Sequence, residues 1–311
     1  MPPSLIELPG AGLLLARGPQ AVDLLHAQLT QELRNWPEST ARMAALCTPQ
    51  GRMLADFLLW READGSIALL LDAELLEPTL KRLRMYILRL KCTLEDARAQ
   101  RRVYGLLEDA GAEPLLPGGA LAVWGTRQQG ELVAIRLPDA PGLRRTLLVT
   151  GQALESLEPL KAVSALPRGS EEAWRLAEVR AGIGHVGAAT AQQFVPQMLN
   201  YELLGAVDFH KGCYPGQEIV ARTQYRGSIK RRTFRVQGGQ AMRAGDEVFS
   251  ASDPGQPCGM VVAAAASPDG GWEALAELKL DAAAQAALHL GAASGPQLRL
   301  ATLPYELPAA G

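Results

Sequence analysis

The densest group of reactive residue types lies between Asp208 and Gly227, where Lys211, Cys213, Glu218, Arg222 and Arg226 are threaded through Gly212, Pro215 and Gly216. Glycine opens backbone angles closed to other residues, while proline fixes its own φ and suits a first helical turn. The segment reads as a tight loop through Tyr214, then a short helix opening near Gly216 or Gln217. Glu218 and Arg222 are four apart with the acid nearer the N-terminus, the order that favours an ion pair on a helix. Cys213 then stands just before a helix N-terminus, beside Lys211 and His210. Helix amides and nearby cations both favour thiolate over thiol, which is the chemistry of a nucleophile or a soft ligand. The plain alternative is a small buried cysteine whose neighbouring glycines serve only the turn.

Other chemistries are open to the same residues. A thiol–imidazole nucleophile would pair Cys213 with His185 or His210, but the sequence assigns no orienting Asn or Asp. As a metal site Cys213 is incomplete, because a stable site takes three or four protein ligands, so no resident metal is expected. Cys47, Cys92, Cys213 and Cys258 contain no C-x-x-C pair, and their wide spacing does not suit a disulfide-stapled secreted domain. Glycine-rich dinucleotide, P-loop and H-E-x-x-H motifs are missing. The run Arg226, Lys230, Arg231, Arg232 and Arg235 is read either as a charged, solvated edge strand or as cations that hold an anionic ligand tail or a nucleic acid.

The stretch Lys211-Gly-Cys-Tyr-x-Gly-Gln-Glu-x-x-Ala-Arg222 resembles the signature of the YgfZ family, CAF17-like folate-binding proteins related to the glycine-cleavage T-protein. So do Ala181-Gly182-Ile183, Gln193-Phe194-Val195-Pro196-Gln197 with Asn200, and the early run Thr48 to Phe57. The resemblance implies an α+β fold: a three-lobed ring of two interleaved α+β lobes plus a C-terminal antiparallel β-barrel. Residues 1–228 would form the folate-binding body, with its second lobe roughly 53–150, and residues 229–311 the barrel. It also implies a folate-binding accessory role in iron–sulfur cluster assembly or repair, affecting tRNA-modifying enzymes. Tetrahydrofolate or a related folate would be the cofactor, and iron–sulfur client or assembly proteins the partners, with nucleic acid not bound directly. Cys213 and Lys211 would carry the chemistry; Trp174, Gln193, Asn200, Tyr214, Glu218 and Arg222 would surround the folate. A pterin is flat and apolar-faced, so an indole such as Trp174 suits it. The family resembled also carries a tryptophan near the start of the chain, where Gly10-Ala11-Gly12-Leu13 has none. The T-protein has an acidic residue in place of Cys213, and a carboxylate is not a soft ligand. Two alternatives remain: a tetrahydrofolate-dependent aminomethyltransferase-like enzyme, and a non-catalytic folate-binding scaffold.

A chain of 311 residues suggests two or three domains. A formal net charge of −2 gives no global basic field for nucleic acid. The start lacks a secretory signal, and no apolar run approaches the roughly 20 residues a membrane helix needs. A soluble, cytoplasmic protein with reduced thiols is expected.

The elements that must position Cys213 and Trp174 follow from periodicity. Val22, Leu25, Leu29 and Leu33 predict a helix from Pro19 to Trp36, and Leu76, Leu80, Leu83, Ile87 and Leu90 predict another over 74–90. Its cations, Lys81, Arg82, Arg84 and Arg89, read as a solvated face. Strands are expected at 13–16, 44–47, 53–60, 67–71, 103–107, 121–124, 132–137 and 144–150, and a helix over 152–161. Ser170 is a good N-cap for a helix over 171–180 that carries Trp174. Gly227-Ser228 marks a domain boundary, and short strands at 231–236, 247–250, 258–265, 272–278 and 297–303 suggest a small antiparallel barrel. The tail beyond Leu303 is expected to be loosely held.

Overall fold

The computed structural model describes residues 2–157, 160–227, 229–285 and 287–308. The first half holds β1 (Ser4–Glu7), β2 (Ala11–Arg17), α1 (Ala21–Gln28), β3 (Arg42–Cys47), β4 (Met53–Arg61), β5 (Ile67–Asp72), α2 (Leu76–Arg84) and β6 (Thr93–Asp96). Then come β7 (Arg102–Asp109), β8 (Thr126–Gln129), β9 (Leu132–Ala140), β10 (Leu143–Thr150), α3 (Lys161–Ser164), α4 (Glu171–Arg180) and α5 (Gln217–Tyr225). The C-terminal part is β11 (Arg231–Gly238), β12 (Glu247–Ser250), β13 (Asp253–Ala266), β14 (Trp272–Lys279), α6 (Leu280–Gln285), β15 (Leu288–Leu290) and β16 (Gln297–Ala301).

These strands form two five-stranded antiparallel sheets and a barrel. The first sheet runs β3-β4-β5-β2-β6, the second β1-β7-β10-β9-β8, and β11-β14-β13-β12-β15-β16 close on themselves. The fold is thus α+β with a C-terminal antiparallel barrel. The chain interleaves through β1, which pairs with β7 (Leu5 opposite Leu106) before β2 enters the other sheet. The second lobe was expected from about residue 53, but the strand there belongs to the first sheet. A tight turn at Pro49-Gln50-Gly51, with Gly51 at φ +73°, returns the chain so that β4 pairs with β3 and then β5. Apart from β1, the second sheet takes up the chain only after Asp96.

Several predicted elements are shorter than their apolar periods. Leu29 and Leu33 are fully buried, yet α1 stops at Gln28 because Leu29 turns extended and bridges Leu46. Thr30 holds it there: its Oγ1 donates to the Ala206 carbonyl (2.7 Å) and accepts from Ala45 N–H (2.8 Å). The period thus reported burial, which extended chain can also satisfy. The helix over 74–90 is one 3-10 turn, then α2, then turns in which Leu88 sits at φ +44° and is 87% exposed. The predicted strand 121–124 is a turn. The predicted helix 152–161 survives as a 3-10 turn at Leu154–Ser156 and the start of α3, with residues 158 and 159 outside the described set. The boundary residue Ser228 also falls outside it. By contrast, α4 begins where predicted, with Ser170 Oγ accepting from Ala173 N–H (3.1 Å). The tail is anchored rather than loose: Tyr305 donates its hydroxyl to the Gly182 carbonyl (2.7 Å) and accepts from Asn200 Nδ2 (3.2 Å).

Among the described residues no helix is long and apolar enough to cross a membrane.

Candidate functional site

Helix α4 places Trp174 and Glu178 four residues apart on one face, the spacing that stacks side chains on a helix. That face closes a cavity of about 440 Å³, whose other walls come from β3, β4 and β5 of the first sheet and β9 and β10 of the second. Trp174 is only 4% exposed. Its ring lies on Gly105 of β7, where a Cβ would fall 2.3 Å from the indole, so that strand position admits no side chain. Trp174 Nε1 donates to Glu178 Oε1 (2.8 Å), and the Arg145 guanidinium sits 4.9 Å from the ring centre, within cation–π range.

Arg145, from β10, is 1% exposed and lies 3.4 Å from Glu178. Burial lowers its affinity for the proton, against the pull of Glu178. Among the described residues its Nε has no hydrogen-bond partner, although it lines the cavity. Across from α4, Asp56 of β4 is buried and holds His185: Nδ1 stands 2.6 Å from Oδ2, and Oδ1 accepts from Val186 N–H (2.7 Å). Burial alone would lower the His185 pKa, but Asp56, with Glu178 4.0 Å away, raises it to about 9. An imidazolium with 42% of its side chain open therefore faces this cavity at neutral pH.

Cys213 lies elsewhere. Gly216 caps α5 at φ +85°, and a Cβ there would meet the Thr48 carbonyl at 2.5 Å and Gly51 Cα at 2.8 Å. The loop is thus docked on the β3–β4 turn. Lys211 is 6% exposed, and its Nζ donates to the carbonyls of His26 and Leu29 at the C-terminal end of α1, where a helix dipole favours a cation. Burial lowers its pKa to about 8. Its ammonium also lies 4.8 Å from the Tyr214 ring centre. Cys213 itself is exposed, whereas Cys47 and Cys258 are buried and Cys92 is half-buried; burial pushes the Cys47 thiol up to about 12.

The expected ligand residues do not gather at one place. Only Trp174 of that set lines the cavity. Asn200 is fully buried at φ +60°; its Nδ2 donates to the Thr233 carbonyl (2.9 Å) and its Oδ1 accepts from Arg232 (3.1 Å), so it joins body to barrel. Gln193 is exposed, and its carbonyl accepts from Arg52. Tyr214 is buried beside Lys211. Glu218 and Arg222 are both exposed, and among the described ion pairs none joins them, in keeping with how little an exposed pair gains over hydration. The thiol–imidazole pairing with His185 fails, since that ring is committed to Asp56. His210 is exposed, and no described hydrogen bond links its ring to Cys213.

The basic run has a third role that the sequence reading missed. Strand β11 is inside a closed barrel, not at an edge. Arg231 pairs with Glu277, Arg232 with Glu202 (2.7 Å) and Arg235 with Glu273 (3.3 Å). Sequence reasoning also missed Asp56, Arg145, Glu178 and Trp124 as cavity residues. Glu178 was within reach, being one helical turn past Trp174. Arg145 was not, because its burial depends on how two distant segments pack. Among the described residues no three His, Cys, Asp or Glu side chains cluster to hold a metal.

Two sheets, a closing barrel and a cavity against α4 define the aminomethyltransferase T class of folds. The crystal structure of glycine cleavage system aminomethyltransferase T from Bartonella henselae superposes with a TM-score of 0.78, covering 97% of this chain and 86% of that one at 18% identity. No family model matches the chain. Among curated proteins, the tRNA-modifying protein YgfZ of Edwardsiella ictaluri is 31% identical over 309 residues, which span 93% of this chain and 88% of the relative. The YgfZ protein of Sodalis glossinidius is 29% identical over 315 residues, spanning 99% and 94%. The chain belongs to the YgfZ family.

Proposed function

We propose that the protein is a folate-binding accessory factor for iron–sulfur cluster assembly or repair, acting in the cytoplasm in support of enzymes that modify tRNA. The tRNA part rests on the name its curated relatives carry. The folate part rests on the cavity. Its volume of about 440 Å³ falls in the range of about 300–1,000 Å³ typical of small-ligand sites. Its walls combine indoles, Trp124 and Trp174, with the carboxylates of Asp56 and Glu178 and the guanidinium of Arg145. A pterin has a donor-rich amino edge that suits a carboxylate and a carbonyl that suits the partnerless Arg145 Nε–H, since a buried donor without an acceptor is costly. Bound tetrahydrofolate supplies a carrier for one-carbon units.

In this reading Cys213 supplies a separate, exposed thiolate, and Lys211 holds its loop against α1. The cluster is cargo, and its other ligands come from a client or assembly protein, because a single thiolate does not complete a site. The body, residues 1–228, carries both places; the barrel, 229–311, braces α4. The direct test is calorimetric titration of the full chain with 5-formyltetrahydrofolate. Saturable binding that weakens in Glu178→Gln is expected. A flat titration with the wild type removes the folate assignment. For the thiol, Cys213→Ser should fail to rescue a strain lacking this protein, and full rescue would exclude the sulfur from its action.

A further inference from the structure

We infer that Trp124 is the flat wall on which the cavity's planar ligand stacks, and is thus a specificity-determining residue of this chain. The identity of that ligand rests on the folate reading above.

Trp124 is held at φ +66°. That left-handed conformation is a genuine outlier for a bulky side chain; Gly or Asn adopts it far more readily. The turn is fastened on both sides. Trp124 N–H donates to the Arg136 carbonyl of β9 (2.7 Å), and its own carbonyl accepts from Ala41 N–H (2.6 Å), just before β3. Gly125 bridges Thr40, its carbonyl accepts from Arg136 N–H (3.0 Å), and Thr126 N–H donates to the Ser39 carbonyl (2.8 Å). The turn is therefore clamped between a strand of the second sheet and the approach to the first. Its side chain lines the space the two sheets enclose.

Strained backbone persists where its surroundings over-determine it, and such residues gather at ligand clamps. Glycine would meet this geometry at lower cost than a bulky side chain. An indole here, only half-buried and on the cavity wall, points to a use for the ring. The other indole of the cavity has little face to offer: Trp174 is 4% exposed, packed on Gly105 and met by Arg145. Gly10 and Ala11 line the same cavity and bring no ring. Trp124 is thus the more accessible stacking surface for a flat heteroaromatic.

Aromatic stacking on a base, measured by truncation, is worth a factor of about five to a hundred or more in affinity. The test is calorimetric titration of wild type, Trp124→Leu and Trp124→Phe with 5-formyltetrahydrofolate, folding being checked by circular dichroism. The expected result is at least about fivefold weaker binding for Trp124→Leu and a change within about threefold for Trp124→Phe, which keeps a ring. Wild-type binding that Trp124→Leu leaves within about twofold overturns the assignment while the folate reading stands. No binding by the wild type overturns both. If the Leu variant does not fold, ligand-induced quenching of indole fluorescence decides. Trp124→Phe should lose a larger share of the quench than Trp174→Phe, and an undiminished quench in Trp124→Phe overturns the proposal.

Discussion

At the scale of single residues, the four cysteines differ chiefly by access. Cys213 is exposed, Cys92 half-buried, and Cys47 and Cys258 are enclosed. Thiol alkylation requires both thiolate and approach. Limiting iodoacetamide on the native protein should therefore label Cys213 first, with Cys47 and Cys258 protected until denaturant is added. Peptide mass mapping that finds Cys47 modified as fast as Cys213 would contradict this. His185 offers a pH signature. Its pKa rises from an ordinary 6.5 to about 9 beside Asp56, so the folded state holds its proton more tightly than the unfolded chain. The resulting stabilisation is fully present below about pH 6.5 and is lost as pH rises through about 9. In thermal melts the gap between wild type and His185→Gln should be widest near pH 6 and close by pH 9.5; a gap independent of pH would refute the coupling. The loop-then-helix setting of Cys213 could be read from the sequence, because a glycine–proline loop before a helix is a local feature, whereas the choice between an exposed and a buried thiol needed the structure. The Asp56–His185 pair could not, because 129 positions separate its members.

At the scale of elements, caps and turns were legible, and so was the length of α4, while the lengths of α1 and α2 were not. Ser170 announced α4, and Gly216 announced α5, through side-chain and backbone chemistry that acts within four residues. The apolar period through Leu33 overshot α1, because Thr30 and Gln31 bond across to 206 and 205 instead of continuing the helix. Helix α4 is the element on which the rest converges. One face presents Trp174 and Glu178 to the cavity; Glu172 accepts from Ala266 N–H of β13 (2.7 Å), and Arg180 reaches Glu273 of β14 (2.5 Å). Lys211 does comparable work for the thiol loop. Its two carbonyl partners belong to the end of α1, so the loop's position depends on where that helix stops. This connection explains why the two candidate places are separate: the cavity is built on β-sheet faces, the thiol loop on a helix end.

At the scale of the molecule, the barrel is fixed to the body by charges that the sequence displayed as an open basic strip. Arg232 and Glu202 have only 5% of each side chain exposed and approach to 2.7 Å. Burial nevertheless holds the Glu202 carboxyl above its usual range, against the pull of Arg232. Such a pair contributes little net stability, yet removing one member strands the other charge, at about 3–5 kcal/mol. Arg232 also donates to Asn200, whose Nδ2 reaches Thr233 and Tyr305, which ties the C-terminal tail into the same junction. Arg232→Met alone should therefore lower the unfolding free energy in urea by about 3 kcal/mol. Arg232→Met with Glu202→Met should recover a large part of that loss, because no charge is left buried. A double variant as unstable as the single one would mean that Arg232 acts through Asn200 and not through its carboxylate partner. The barrel would then be held by an amide relay, and Asn200→Ala would reproduce the full loss.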